Sequence, residues 1–322
     1  MTMTRNKASS VHEAARTLLE VFAAEETFQR VNFADMSLGS FLRAYAGPPA
    51  PAELDSRSSI REDAVIREIS RILGEQQGIV RIIDACCGLA NLPRRVIKAL
   101  GNDISRVEYI AVEREAICVE LMRAQEEEFR GFASFTPVLR DVRDLAGSEF
   151  SGAHLVVLNN VIHEIAPRYF PDIFAAINAL LSRQGRICVI DMEALPADAP
   201  EAIAINWTAS EFTEILKSAG FQPERSVHQK SVAVYQVHMR AVGSIHKRSM
   251  LLAIYSQVIS KLDAAIRARR QADVAVASKA GDHADWLVKT GTVARLADEA
   301  LALEKLIEAE GDKSVEVRTD AH

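Results

Sequence analysis

Residues 82–91 read IIDACCGLAN, and this stretch decides the fold class. It begins as an apolar strand that ends with Asp84, then passes through a turn with a single glycine, Gly88, into a segment of helical periodicity. In a parallel sheet such a unit places free backbone N–H groups and a helix N-terminus at the carboxyl edge, where ligands bind. The dinucleotide fingerprint G-x-G-x-x-G needs more glycines than this turn contains, so a pyrophosphate-binding loop is disfavoured.

Short apolar runs around this unit alternate with longer amphipathic segments, which predicts parallel strands joined by crossover helices. The predicted strands occupy residues 79–84, 107–113, 133–141, 154–160 and 186–192. The runs at 221–229 and 231–240 leave no room for a helix between them, so they form an antiparallel hairpin. The sequence therefore predicts an α/β fold with a doubly wound, mostly parallel seven-stranded sheet that ends in an antiparallel hairpin.

Helices between these strands are predicted from their periodicity and from residues that start or stop helices. Gly101 and Gly185 are placed at helix ends, Ser210 is the expected N-cap of the last of these helices, and Gly220 closes it. The predicted helices occupy residues 92–100, 115–130, 168–182 and 210–219.

Both ends of the chain are also predicted to be helical. An amphipathic stripe begins at Val11, and a second segment spans residues 60–73 after the linker GPPAPAELDS. Apolar faces that begin at Leu251 and Val293 predict a C-terminal helical hairpin, packed on the sheet or on a second subunit as a homodimer. The predicted divisions are an N-terminal helical cap at 1–58 with its first ~10 residues disordered, a sheet domain at 59–241, and a helical extension at 242–322.

The composition disfavours several classes of partner. With 38 basic and 44 acidic residues the net charge is −6, which does not favour binding to nucleic acid or an anionic membrane. No apolar run approaches the ~20 residues of a membrane span, and the N-terminus has no signal-peptide core, so we expect a cytoplasmic protein. The cysteines include no C-x-x-C pair, which indicates reduced thiols and no metal site.

Polar residues follow the next predicted strands as well. Glu113 ends VEYIAVE, and Asp141 follows SFTPVLR. Beyond the fourth strand, LVVLNNVIHEI carries Asn159, Asn160, His163 and Glu164. A single strand-end acid could equally cap a helix or lie in solvent, and the arginines beside Asp141 could form a surface ion-pair cluster with it. A polar cluster directly after an apolar strand is harder to explain as core, and this favours a site at the sheet edge.

Taken in order, these sites resemble the motifs of the class I S-adenosylmethionine-dependent methyltransferases. The first motif of that family is a strand followed by D-x-G-x-G-x-G, and here it reads Asp84, Cys86, Gly88 and Ala90. Cysteine suits the first glycine position if its backbone is not left-handed, and alanine at the last position adds only a methyl group. LVVLNNVIHEI resembles the N-V-L-H-x signature after the fourth strand.

The resemblance covers about residues 60–240 and implies a Rossmann-like domain that binds S-adenosylmethionine as its cofactor. In the family the acid that ends the second strand binds the ribose hydroxyls, and the acid after the third strand lies near the adenine amine. The cofactor-binding residues that the resemblance implies are Asp84, Cys86, Gly88, Ala90, Glu113, Asp141, Asn159 and Asn160. The implied catalytic residues are His163 and Glu164, where His163 either takes a proton from the nucleophile or orders a loop through a hydrogen bond.

The expected function is methyl transfer to an oxygen or nitrogen nucleophile of a small molecule or a protein. The chain lacks the (N/D)-P-P-(Y/F) turn and the Pro-Cys dipeptide of DNA methyltransferases. Two alternatives stay open: a degenerate methyltransferase-like interaction module that no longer binds the cofactor, and a nicotinamide-dependent oxidoreductase on the same fold. Trp207 either walls the substrate pocket or packs in the core.

Overall fold

The structure is a computed structural model that describes residues 59–193, 204–229, 233–277 and 283–319. The predicted stripe from Val11 and the linker after it lie outside these residues. The second predicted N-terminal helix is present as α1, Ser59–Glu75.

A seven-stranded sheet forms the centre of the described chain, with strand order β3-β2-β1-β4-β5-β7-β6. The strands are β1 Val80–Ala85, β2 Val107–Glu113, β3 Ser134–Leu139, β4 Ala153–Asn159, β5 Leu181–Asp191, β6 Gln222–Gln229 and β7 Ala233–Met239. Strands β1 to β5 pair in parallel, and β7 runs antiparallel to both β5 and β6. The predicted sheet and its terminal hairpin are confirmed.

Helices cover both faces of this sheet, as a doubly wound fold requires. Helices α1, α2 (Asn91–Leu100) and α3 (Ala116–Ala124) bury their apolar residues on one face. The other face carries α4 Phe170–Leu180, α5 Ala209–Ser218, α6 Lys247–Ala277 and α7 His283–Thr319. Helices α6 and α7 pack together, which confirms the C-terminal helical hairpin.

Two predicted helices are shorter than their sequence patterns suggested. The segment 115–130 breaks into α3 and a 3₁₀ turn, Glu126–Phe129, which brings Phe129 into the core against Phe135. The segment 168–182 is helical only within α4, and Gly185 lies inside β5 rather than at a helix end. A Cβ at Gly185 would lie 2.7 Å from the carbonyl oxygen of Ala153, so this position requires glycine because β4 approaches closely.

The N-cap of α5 is Thr208, not the predicted Ser210. The Thr208 hydroxyl accepts the backbone N–H of Glu211 at 3.2 Å, and the Glu211 carboxylate accepts the N–H of Thr208 at 2.8 Å. This capping box satisfies two orphan donors at once, which a serine two residues later could not do. Gly220, with φ of 101°, follows the end of the helix as predicted.

Part of α6, the segment Lys247–Asp273, is long and apolar enough to cross a membrane by length and composition, a test that core helices of soluble proteins also pass. The segment is not an uninterrupted apolar run, because Lys261 and Asp263 lie within it. Ile254 and Val258 belong to the buried cluster that lines the second face of the sheet.

Candidate functional site

The carboxyl ends of the parallel strands meet at one edge of the sheet. The chain passes outward from β1 to β2 and β3, then returns to β4 on the other side of β1. Ligands of doubly wound sheets bind outside such a reversal of strand order. Asp84 and the turn after β1 lie on one side of the reversal, and the end of β4 with Asn159 lies on the other.

The turn after β1 keeps the backbone shape of a glycine-rich turn although it has lost two glycines. Cys86, Gly88 and Ala90 all lie in the left-handed region, with φ of 64°, 55° and 59°. The condition under which cysteine suits the first glycine position is therefore not met, and the side chains of Cys86 and Ala90 cost roughly 1–2 kcal/mol each in backbone strain. Hydrogen bonds from the N–H groups of Cys87 and Ala90 to the carbonyls of Val112 and Cys87, at 3.0 and 3.1 Å, help to fix the turn.

Glu113, at the end of β2, joins that strand to the turn. One oxygen of its buried carboxylate accepts the N–H of Gly88 at 2.9 Å. The other oxygen accepts the N–H groups of Arg114 and Glu115 at 2.9 and 3.1 Å. A carboxylate has about four acceptor positions, so Glu113 retains capacity for a ligand donor beside the turn.

Asp84 lies beneath the same turn, almost completely buried. Its Oδ2 accepts the hydroxyl of Tyr109 at 2.8 Å. Burial raises the pKa of the Asp84 carboxyl to about 7; the Tyr109 hydrogen bond opposes this rise, and the charges of Glu113 and Glu62 add to it. Near neutral pH this carboxyl therefore changes charge, directly below the turn after β1.

Replacing Asp84 by asparagine should stabilise the protein in a pH-dependent way. Because the folded-state pKa is raised, the native protein keeps a proton that the unfolded chain releases, and stability falls as pH rises from about 4 to about 7. The full difference is about 4 kcal/mol, since one pKa unit corresponds to about 1.4 kcal/mol. Denaturant unfolding should show Asp84→Asn more stable than the parent at about pH 8 and nearly equal at about pH 4.

An exposed acid provides the control for this prediction. Asp172 is more than half exposed and pairs with Lys247, so Asp172→Asn should change the free energy of unfolding little at either pH. An equal gain for Asp84→Asn at both pH values would mean that the charge of the buried carboxyl is not the cause.

Asp141, after β3, is held in an ion pair. Its Oδ1 accepts the backbone N–H of Arg143 at 2.9 Å, and the Arg143 guanidinium adds bonds of 2.9 and 2.8 Å. Burial alone would raise the pKa of Asp141, but the hydrogen bonds and charge of Arg143 outweigh it and lower the pKa. Asp141 thus forms an ion pair with a neighbouring arginine, one of the two roles considered for it. A contact with the adenine amine stays a prediction.

The end of β4 supplies a buried polar atom. Asn159 Oδ1 has no hydrogen-bond partner within the described part of the chain. A buried acceptor without a donor costs about 1–3 kcal/mol, so this atom is suited to a ligand that brings a donor. Asn160 follows in the left-handed region, with φ of 56°, and its N–H donates to the carbonyl of Ile190 at 2.7 Å.

His163 is held by Asp191, an acid that the sequence reasoning did not assign. The backbone N–H of His163 donates to Asp191 Oδ2 at 2.9 Å, and its Nδ1 lies 2.6 Å from Asp191 Oδ1. Because a carboxylate accepts, this geometry places the imidazole proton on Nδ1 and leaves Nε2 as the basic nitrogen. Glu164 Oε1 lies 4.0 Å from that Nε2. Asp191 ends β5 and could have been found by the rule that singled out Asp84 and Glu113.

Trp207 lies near Asp191 and packs in the core, which was one of the two roles predicted for it. It is 5% exposed, and its ring centroid lies 5.8 Å from that of Phe170. Just before it, the N–H of Ile205 donates to the carbonyl of His163 at 3.3 Å. A small cavity of about 20 Å³ touches both Trp207 and Asp191.

Other features lie outside this constellation. A cleft of about 600 Å³ near the start of α6 contains none of these residues. Within residues 59–193, 204–229, 233–277 and 283–319, no group of three His, Cys, Asp or Glu side chains is placed to hold a metal. All cysteines are free thiols, and burial raises the pKa of the Cys86 thiol.

The solved structures to which this chain is similar include methyltransferases. The CMeT domain of the citrinin polyketide synthase aligns with a TM-score of 0.51 at 12% identity, over 73% of this chain and 67% of that chain. The Burkholderia thailandensis 1,6-didemethyltoxoflavin-N1-methyltransferase, solved with 1,6-didemethyltoxoflavin and S-adenosylhomocysteine, gives 0.47 at 17% identity, over 64% and 87%. The Synechocystis PCC 6803 magnesium protoporphyrin IX methyltransferase, with bound SAM, gives 0.45 at 16%, over 67% and 96%.

No protein-family model and no curated protein matches the chain by sequence. Identities this low establish the fold alone, a doubly wound seven-stranded sheet with a terminal antiparallel hairpin.

Proposed function

We propose that the protein is an S-adenosylmethionine-dependent methyltransferase that acts on an oxygen or nitrogen nucleophile of a small molecule. The observation that carries this proposal is the placement of two units around the reversal of strand order. The left-handed turn with Glu113 lies beside β1, and the His163–Asp191 pair lies beyond β4 and β5. In this proposal a cofactor cradle and a proton acceptor thus lie at one edge of the sheet, where the His163 side chain is buried.

The residues around the turn fit the chemistry of the cofactor. A ribose diol offers two hydroxyl donors, and Glu113 is a carboxylate at the position to accept them. The ribose hydroxyls would bind the carboxylate either beside the N–H of Gly88 or in its place. The buried Asn159 Oδ1 and the Asp84 carboxyl suit the methionine ammonium. Apart from the residues on either side of Gly88, no atom of the described residues lies within 4 Å of a Cβ built there, so the space above that backbone is open to a ligand. When bound, S-adenosylmethionine supplies an electrophilic methyl group on a sulfonium.

His163 acts as the general base in this proposal. Asp191 fixes the tautomer, so that Nε2 takes the proton from a hydroxyl or amine nucleophile. The carboxylate of Glu164, 4.0 Å from Nε2, stabilises the imidazolium that results. Positioning of the nucleophile then supplies much of the remaining rate, and no metal is required.

Replacing Gly88 by alanine should lower the affinity for S-adenosylhomocysteine by about tenfold, because the new methyl group occupies ligand space and holds the ligand off the backbone. The variant should still fold, since Cys86 and Ala90 already carry side chains at left-handed positions of this turn. Calorimetric titration measures the affinity.

Gly147 offers a matched control for the backbone strain. It has φ of 75° and open space around its Cβ position, but it lies in a different loop. Gly147→Ala should lose stability and keep its affinity for S-adenosylhomocysteine. If Gly88→Ala binds as tightly as the parent, the turn does not hold this ligand.

A methyl-transfer assay tests the proposed function directly. The purified protein is incubated with methyl-tritiated S-adenosylmethionine and a fractionated extract of the producing cells, with His163→Ala in parallel. The proposal expects label in a small-molecule fraction that depends on His163. Label in protein fractions alone would instead indicate a protein acceptor. A protein that transfers no label and binds no S-adenosylhomocysteine would be the interaction module, and one that binds NAD instead would be the oxidoreductase.

A further inference from the structure

The loop that carries His163 is held on its outer side by helix α7. We call residues 160–169, between β4 and α4, the site loop. At its far end, Arg168 binds Glu299 of α7: its Nε lies 3.2 and 3.1 Å from the two carboxylate oxygens, and its Nη2 lies 2.9 Å from Oε1. The backbone N–H of Arg168 also donates to Glu299 Oε2, at 3.3 Å. Glu299 therefore fixes both the side chain and the backbone of the site loop.

A second contact from α7 lies closer to the pair formed by His163 and Asp191. Arg295, one helical turn before Glu299, donates from Nη2 to the carbonyl of Glu164 at 3.4 Å. Burial lowers the pKa of Arg295, while the charges of Glu299 and Glu164 act in the opposite direction. Because Glu164 follows His163 directly, α7 reaches the catalytic histidine through one peptide unit.

Burial distinguishes Glu299 from its neighbour on the helix. Glu299 is 3% exposed, whereas the side chain of Asp298, which binds the same Arg168, is 47% exposed. Removing Glu299 leaves Arg168 with the exposed Asp298 as its ionic partner on α7, and an exposed pair contributes less than the buried pair that is lost. Loss of Glu299 should therefore disturb the site loop more than loss of Asp298, although both carboxylates bind Arg168.

We propose that Glu299 is a positioning residue that holds the site loop so that His163 meets Asp191. The site loop is short and irregular, and its hydrogen bonds are mostly to neighbours within it, to Asp191 and to α7. The C-terminal helix is on this account part of the active site and not only a cover for the sheet. The inference rests on the proposed function, because it takes His163 as the proton acceptor.

The experiment follows the proton between His163 Nδ1 and Asp191 by NMR in the full-length protein. Its resonance is assigned by its loss in His163→Ala, and its exchange with water is measured in Glu299→Gln and in the control Asp298→Asn. In Glu299→Gln we expect the exchange rate to rise by about tenfold or more, because the loop opens locally. Asp298→Asn should exchange as the parent does. Glu299→Asp, which keeps the charge on a shorter side chain, should lie between the two.

The outcomes separate positioning from general stability. A folded Glu299→Gln with parental exchange, or an equal change in Asp298→Asn, would overturn the inference. If Glu299→Gln does not fold, Arg295→Met tests the same link through the carbonyl of Glu164, and unchanged exchange there would equally overturn it. Calorimetry with S-adenosylhomocysteine on the same samples should give parental affinity. A parent protein that binds none would contradict the proposed function and leave the link between Glu299 and His163 to the NMR result.

Discussion

Replacing Glu113 by alanine should weaken the binding of S-adenosylhomocysteine by roughly 30- to 1,000-fold, which corresponds to about 2–4 kcal/mol. The variant loses the acceptor for two ribose hydroxyls, and hydrogen bonds to a charged group contribute about 1.5–3 kcal/mol each. It also releases the N–H of Gly88, so the turn after β1 loses one of its hydrogen bonds to β2 and keeps the bond from Cys87 to Val112. Calorimetric titration of S-adenosylhomocysteine into parent and variant measures the difference.

Glu108 supplies the control for that loss. It lies at the other end of β2, where it pairs with Arg81 at 2.8 Å, so Glu108→Ala removes an acid from the same strand without touching the turn. Its affinity for S-adenosylhomocysteine should equal that of the parent. A folded Glu113→Ala protein with parental affinity would remove Glu113 from the cofactor site.

Replacing His163 by alanine should lower the rate of methyl transfer by about 10²- to 10⁴-fold, the range that general acid–base catalysis supplies. Affinity for S-adenosylhomocysteine should stay nearly constant, because the proposed contacts to the cofactor come mainly from β1 and the turn after it, from Glu113 and from Asn159. The loss should shrink as pH rises, since a nucleophile that is already ionised needs the base less. A pH–rate series on the labelled product of the acceptor screen measures both effects.

Two further variants sharpen this prediction. Asp191→Asn should lose much of the same rate, because the amide no longer favours the Nδ1–H tautomer of His163. His154→Ala removes a histidine from the other end of β4 and should keep the parental rate. If His163→Ala keeps the parental pH profile and loses cofactor affinity instead, the residue orders the pocket and does not take the proton.

The sheet could be read from the sequence because its signals are local. Each buried strand is a short apolar run, and the lack of space between 221–229 and 231–240 leaves only a hairpin. Asp84 and Glu113 could be placed at one edge of the sheet because each lies at the carboxyl end of a predicted strand. The same reasoning, applied to the fifth strand, would have added Asp191.

The remaining features depend on contacts between distant parts of the chain. The left-handed conformation of Cys86 is imposed by the tight turn between β1 and α2, and cysteine itself does not favour it. Gly185 resembles a helix terminator in the sequence, yet the close approach of Ala153 decides its place in β5. The contact of Glu299 with Arg168 joins residues far apart in the chain, and no periodicity in either segment marks it.

Binding of S-adenosylhomocysteine to the unmodified protein tests the central claim most directly. A calorimetric titration should give one site per chain, and a parallel titration with NAD should give no heat of binding. Together with the loss of affinity in Glu113→Ala, that pair of results would establish the turn after β1 and Glu113 as a cofactor site. A folded protein that gives no heat with S-adenosylhomocysteine, or that binds NAD in its place, would contradict the account.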